Sequence, residues 1–200
     1  MRCSLLQTLW GHTRPIRALV WRPAERLLDI VGGARLAITT CAVRWASSMC
    51  VAINYKAASG AGLKGGELSG STFHQCACGL YIINQARPAD ASANSDDLRV
   101  AGNAFRDIDT QNVYGSRDTH AIGIQGGSRN VYERNVIDGA GGSGITFYQG
   151  VGQTMDSNVV RGNLVMNVRS AEPSRNQRGI EYAANIFRTR AHSQSGAPSL

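Results

Sequence analysis

Four stretches of this chain align without gaps, and their shared pattern leaves few folds open. They are GGELSGSTF (65–73), DLRVAGNAF (97–105), RNVYERNVI (129–137) and SNVVRGNLV (157–165). Ser71, Asn103, Asn135 and Asn163 fall in one column. Two residues later the column reads Phe73, Phe105, Ile137 and Val165; three residues earlier it reads Leu68, Val100, Tyr132 and Val160. Every member of both flanking columns is apolar. The residue before the Asn column is Gly70, Gly102, Arg134 or Gly162. Each unit therefore predicts a strand, a two-residue bend and a second strand, because Gly and Asn tolerate positive φ best. The bend column steps by 32, 32 and 28 residues, and self-similarity at such a period signals stacked repeats.

A second set interleaves with the first: CGLYI, IGIQG, SGITF and RGIEY. Aligning Gly79, Gly123, Gly144 and Gly179 predicts a column of Leu80, Ile124, Ile145 and Ile180. The length difference between repeats is assigned to loops at 85–96, 109–119 and 172–177.

Three short strands per turn with Asn at one corner predict an all-β fold, a right-handed parallel β-helix of about four rungs. Inward residues form columns, and stacked Asn side chains bond along the axis. On these columns the chain resembles the right-handed parallel β-helix repeat family, the pectate-lyase-like superfamily, over residues 60–188. A leucine-rich repeat also places Asn after a strand, but Leu is sparse in the Asn units. A β-sandwich would need hairpin turns, and Asp138-Gly139 is almost alone in offering one.

Three regions are expected. Residues 59–188 form the β-helix, and 189–200 read as a disordered tail of Ser, Gly, Ala and Pro. Residues 1–58 are a basic segment serving as a cap, a targeting stretch or an upstream extension. That segment is expected to be irregular or partly helical, with a short helix over 14–28 after Pro15. It has no uninterrupted apolar run ending in a small-residue cleavage site, and nothing in it is continuous enough to span a bilayer. With no capping element evident at the far end, the chain is expected to be a fragment of a longer β-helix, or to self-associate through an uncapped end.

The net charge of +7 does not point to nucleic acid. Residues 1–58 hold eight Lys/Arg against two acids, whereas 59–200 hold thirteen against twelve. The repeat region thus has no one-signed field to attract a polyanion. The five cysteines form no CxxC pair; Cys76 and Cys78 are expected as small residues near the core.

The family resemblance implies a groove that holds a polysaccharide, and an extracellular or periplasmic location. One position beyond the second aliphatic column lie Tyr81, Gln125, Thr146 and Glu181. With rungs about 4.8 Å apart, these would make a strip about 14 Å long, with Tyr81, Gln125 and Thr146 contacting sugar. His120, in RDTHAIGIQGG, loosely resembles the Gly-His-Gly segment of polygalacturonase-type glycosidases, although Thr119 and Ala121 replace the glycines. The clustered aspartates and Arg-x-Lys of those enzymes do not appear. A glycosidase needs two carboxyl groups, of which Glu181 is the candidate. A uronate lyase or epimerase needs a base, a group neutralising the carboxylate and an acid; His120, Tyr148 and Arg178 are assigned to these roles. No cofactor is expected, and Ca²⁺ would fall on Asp107, Asp109 and Asp118 if it binds. Glu133 and Arg134 are expected as a surface pair. The alternative is a non-catalytic β-helix module.

Overall fold

A computed structural model describes residues 4–9, 12–15, 24–30, 35–44, 46–53, 62–84, 94–109, 119–148, 155–170 and 180–189. All regular structure among them is β. The strands are β1 (Ser4–Leu9), β2 (His12–Pro15), β3 (Ala24–Ile30), β4 (Arg35–Thr39), β5 (Ala42–Arg44) and β6 (Ala46–Ile53). Next come β7 (Lys64–Ser69), β8 (Thr72–His74), β9 (Cys78–Ile83), β10 (Asp96–Ala101), β11 (Ala104–Ile108) and β12 (His120–Gln125). The last six are β13 (Val131–Glu133), β14 (Val136–Tyr148), β15 (Asn158–Arg161), β16 (Leu164–Ser170), β17 (Ile180–Ala183) and β18 (Ile186–Thr189).

Among β3 to β18 every pairing is parallel, and the strands fall into three stacks. The first runs β4, β7, β10, β13, β15, β17. The second runs β5, β8, β11, the first half of β14, β16, β18. The third runs β3, β6, β9, β12 and the second half of β14. The long β14 thus joins the second and third stacks into one hydrogen-bonded sheet. At the N-terminal end, β1 pairs antiparallel with both β4 and β2. The two sheets wrap one core into a nearly closed, barrel-like shape.

The core follows from the apolar columns of the sequence. Ile38, Leu68, Val100, Tyr132 and Val160 stand side by side in the first stack. Phe73, Phe105, Ile137 and Val165 do so in the second, and Val51, Leu80, Ile122 and Ile145 in the third. All are buried in a single cluster, and each such side chain contributes about 1.5–3 kcal/mol on leaving water. The Phe73 and Phe105 rings stack at 4.6 Å. In the last described turn, Tyr182 and Ile186 are exposed.

The corner between the first and second stacks is held by a polar ladder. Asn103, Asn135, Asn163 and Asn185 each accept, through Oδ1, the backbone N–H of the preceding corner residue at 2.9–3.1 Å. Each Nδ2 donates to a backbone carbonyl of the preceding turn, those of Leu68, Val100, Tyr132 and Val160, at 2.7–2.9 Å. An amide side chain is suited to this because it carries a donor and an acceptor on one carbon. Ser71 continues the ladder by accepting the Cys41 N–H at 3.1 Å. The bend residues Thr40, Gly70, Gly102, Arg134, Gly162 and Ala184 all have φ between 50° and 62°. A second, shorter ladder was not expected from the sequence. Asn130 accepts the Leu98 N–H at 2.8 Å and Asn158 accepts that of Asn130 at 2.9 Å.

Three expectations need correction. No described residue is helical; Arg14 and Pro15 lie in β2 and Ala24–Leu28 in β3. Pro23 interrupts the helical pattern, and β3 gains lateral hydrogen bonds from β6. The stacks also start before residue 59, since β4, β5 and β6 pair with β7, β8 and β9. Finally, the first stack has six described strands, more than about four rungs provide: Cys41 and Asn185 occupy two further corner positions. Cys76 is buried as expected, but it is disulfide-linked to Cys50, with Cα atoms 5.7 Å apart. Of the expected loops, 85–93 of 85–96, 110–118 of 109–119 and all of 172–177 lie outside the described residues, as does the tail beyond 189, while Asp96 already belongs to β10.

Candidate site on the third stack

The site is built on the outward face of β9, β12 and β14. The register places Tyr81 beside Gly123 and Gly123 beside Thr146. Two positions further, Ile83, Gln125 and Tyr148 stand abreast. Alternation along each strand turns these residues away from Leu80, Ile122 and Ile145, which fill the core.

His120 opens β12 and is 3% exposed. Its Nδ1 lies 3.3 Å from Thr146 Oγ1, and its Nε2 is hydrogen-bonded to the Tyr148 hydroxyl. The His120 and Tyr148 rings are tilted by 59° with centroids 5.3 Å apart. Both ring nitrogens therefore have side-chain hydroxyl partners, which fixes the ring plane and couples the phenol to the imidazole. Tyr81 packs against Met49, Ala52 and Cys78 on the same face. Its ring covers Gly123, where a Cβ would overlap Tyr81 Cε2 and Cδ2.

Gly123 accounts for an error of register in the sequence reading. Leu80 is level with Ile122, two residues before the expected Ile124. Aligning Gly79, Gly123 and Gly144 assumed one role for all three glycines. Instead a Cβ at Gly79 would overlap the Phe105 ring, and one at Gly144 the Val165 side chain, so both make room for the core. Gly123 makes room for Tyr81 on the opposite face. The strip of Tyr81, Gln125, Thr146 and Glu181 is accordingly replaced by two short rows, Tyr81–Gly123–Thr146 and Gln125–Tyr148.

Five of the seven expected site residues meet on this face: His120, Tyr148, Tyr81, Gln125 and Thr146. Glu181 does not. It is exposed on β17 of the first stack, level with Val159, and Ile180 is level with Asn158 rather than Ile145. The cause is a further strand–bend–strand unit, IEYAANIF, whose corner residue is Asn185. Arg178 lies outside the described residues.

Of the acids assigned to Ca²⁺, Asp107 pairs with His74 at 2.9 Å, Asp109 is buried and Asp118 lies outside the described residues. Among the described residues, no group of three or more His, Cys, Asp or Glu converges on a metal position. Among the same residues, no helix is long and apolar enough to cross a membrane.

Glu133 is no simple surface partner of Arg134. It is buried and receives Arg99 Nη2 at 2.7 Å, Arg161 Nη2 at 2.8 Å and Arg134 Nη2 at 3.1 Å. The Arg99 hydrogen bonds, helped by those from Arg161 and Arg134 and opposed by burial, hold its carboxyl down at about 2. Arg134 is next to Glu133 in the sequence, but Arg99 and Arg161 are 34 and 28 residues from it; only the register of β10, β13 and β15 brings those two in.

Compared with known proteins, the chain matches no family model, no curated protein and no solved structure.

Proposed function

We propose that the chain is a right-handed parallel β-helix whose third stack binds an acidic polysaccharide, with Tyr148 and His120 moving a proton at the bound sugar. The observation that carries this reading is the hydrogen bond between the Tyr148 hydroxyl and His120 Nε2, beside Tyr81, Gln125 and Thr146. The three recurring parallel stacks and the corner Asn ladder support the coil. An aromatic ring for stacking, with amide and hydroxyl groups around it, suits a sugar surface. The Cys50–Cys76 disulfide supports an oxidising, extracytoplasmic compartment.

Elimination or epimerisation of a uronate begins with loss of the proton α to its carboxylate. The Tyr148 oxygen would take that proton while its own passes to His120 Nε2. Neutralising the sugar carboxylate is a separate requirement, for which Arg178 is the candidate; Glu181, on another stack, has no part in this site. Incubation with alginate, pectin and glycosaminoglycans tests the reading. Unsaturated uronate absorbance, or solvent hydrogen exchange into the sugar, should appear and vanish in Tyr148→Phe. Neither turnover nor binding on any acidic glycan would reject it.

One observation favours a second reading, a non-catalytic β-helix module. His120 is almost wholly buried and both its ring nitrogens have hydroxyl partners, as in a histidine that packs a surface patch. Glycan binding without turnover, unchanged in Tyr148→Phe, would select it.

A further inference from the structure

The arginine cluster on the first stack is not used by the site above. On its outward face, Arg99, Arg134 and Arg161 converge on the buried Glu133. Arg99 has a second carboxylate, Glu67, at 2.6 Å. Among the described residues Arg134 and Arg161 pair only with Glu133, so two guanidinium charges share what remains of one carboxylate. Arg134 gives it a single bond, from Nη2 at 3.1 Å. Arg161 gives Nε at 2.9 Å and Nη2 at 2.8 Å. Arg134 Nε and Nη1 and Arg161 Nη1 thus remain as donors, on side chains 67% and 56% exposed. Glu181 lies on the same face one turn on and forms no ion pair with either arginine among the described residues.

The surface beside these donors forms a shallow, open depression. A hollow of about 410 Å³ is lined by Glu133, Arg134, Arg161, Gly162, Ala183 and Ala184. Its floor is small because the two turns that follow Arg134 carry Gly162 and Ala184 at the bend. A Cβ at Gly162 would be 3.7 Å from Arg134 Cγ, so the aliphatic stem of Arg134 lies over that glycine. Arg134 is also the one charged residue among the described bend positions of this corner, where φ is positive throughout. A long cationic side chain stands where Gly serves in three of the other five turns.

We propose that Arg134 and Arg161 form a binding site for an oxyanion, a carboxylate or sulfate ester carried by an acidic ligand, seated over Gly162 and Ala184. Glu133 holds the two guanidiniums in place from beneath, and the anion takes the outward donors in charge-assisted hydrogen bonds. The site lies on a different stack from His120, so it stands or falls apart from the proton-transfer reading.

The test is the arginine Nε–Hε spectrum of the whole chain, titrated with sodium sulfate and with sodium glucuronate against sodium chloride at matched ionic strength. The expected result is a saturable shift of the Arg134 and Arg161 resonances with one or both oxyanions, and none with chloride. Whichever anion binds more tightly identifies the source. In Arg134→Gly, which restores the residue found at neighbouring corners, and in Arg161→Gln, affinity should fall about tenfold or more. His120→Ala should leave it unchanged. A drift that chloride reproduces, or equal affinity in either arginine variant, would overturn the proposal.

Discussion

Tyr148 and His120 are hydrogen-bonded across adjacent turns although 28 residues separate them in the sequence. The bond joins the end of β14 to the start of β12, and parallel register alone brings the two together. His120→Ala should remove the partner of a part-buried hydroxyl and cost about 1–3 kcal/mol of stability. Tyr148→Phe should cost less, about 0.5–1.5 kcal/mol. Urea unfolding of both variants, read together with turnover, separates the structural share of the pair from its chemical share.

Gly123→Ala should displace the Tyr81 ring, because a Cβ there overlaps it. Overpacking of this kind costs about 1–3 kcal/mol. The near-ultraviolet dichroism of Tyr81 should change and glycan binding should weaken. Gly123→Ala with Tyr81→Ala should recover much of the stability without recovering the binding.

The corner ladder should be least tolerant at its middle. Asn135→Ala strands the Asn103 N–H and the Val100 carbonyl in the interior, at a cost of about 2–4 kcal/mol. Asn185→Ala, at the part-buried end, should cost about 1 kcal/mol. Chemical denaturation of the two variants should show that contrast; equal losses would mean that the turns do not depend on the ladder.

Acid should act through Glu133. Its folded pKa, about 2, lies below its ordinary 4.5. Its contribution is therefore complete above about pH 4.5 and is lost as pH falls toward 2. Glu133→Gln should be less stable at neutral pH, and its stability should fall less steeply between pH 4.5 and 2. Melting temperatures across that interval check the sign.

Reduction should loosen the first turns. Cys50 and Cys76 are 26 residues apart, and opening a loop of that size removes about 3–4 kcal/mol. Dithiothreitol should lower the unfolding midpoint of the native chain by more than that of Cys50→Ala/Cys76→Ala, in which Cys41 stays disulfide-bonded.

The corner units were legible because both their periods are written in residue type. Asn103, Asn135 and Asn163 mark the bend, and Leu68, Val100, Tyr132 and Val160 mark the inward positions. Asn185 was concealed because its strand was grouped with the glycine-led segments, and Cys41 because it shares no side-chain chemistry with Asn. The third stack was harder to read. Glycine there answers to sterics on either face, so Gly79 and Gly123 look alike in the sequence and do opposite things. That ambiguity shifted one strand by two residues; Glu181 went to the wrong stack because the corner unit at Asn185 was missed. The hydroxyl partners of His120 were among the expected site residues, but their meeting depended on register. In the Glu133 cluster the Arg134 partner was legible from adjacency, whereas Arg99 and Arg161 depended on register.

Successive corner residues are 30, 32, 32, 28 and 22 positions apart, yet their amides meet at nearly constant separation. The distance between stacked corners is thus independent of how many residues lie between them. Segments can be lengthened, shortened or exchanged between β9 and β10, β11 and β12, or β16 and β17 while the corners keep their stacking distance. The fold can therefore acquire new surface chemistry by splicing, with little demand on the residues that support it.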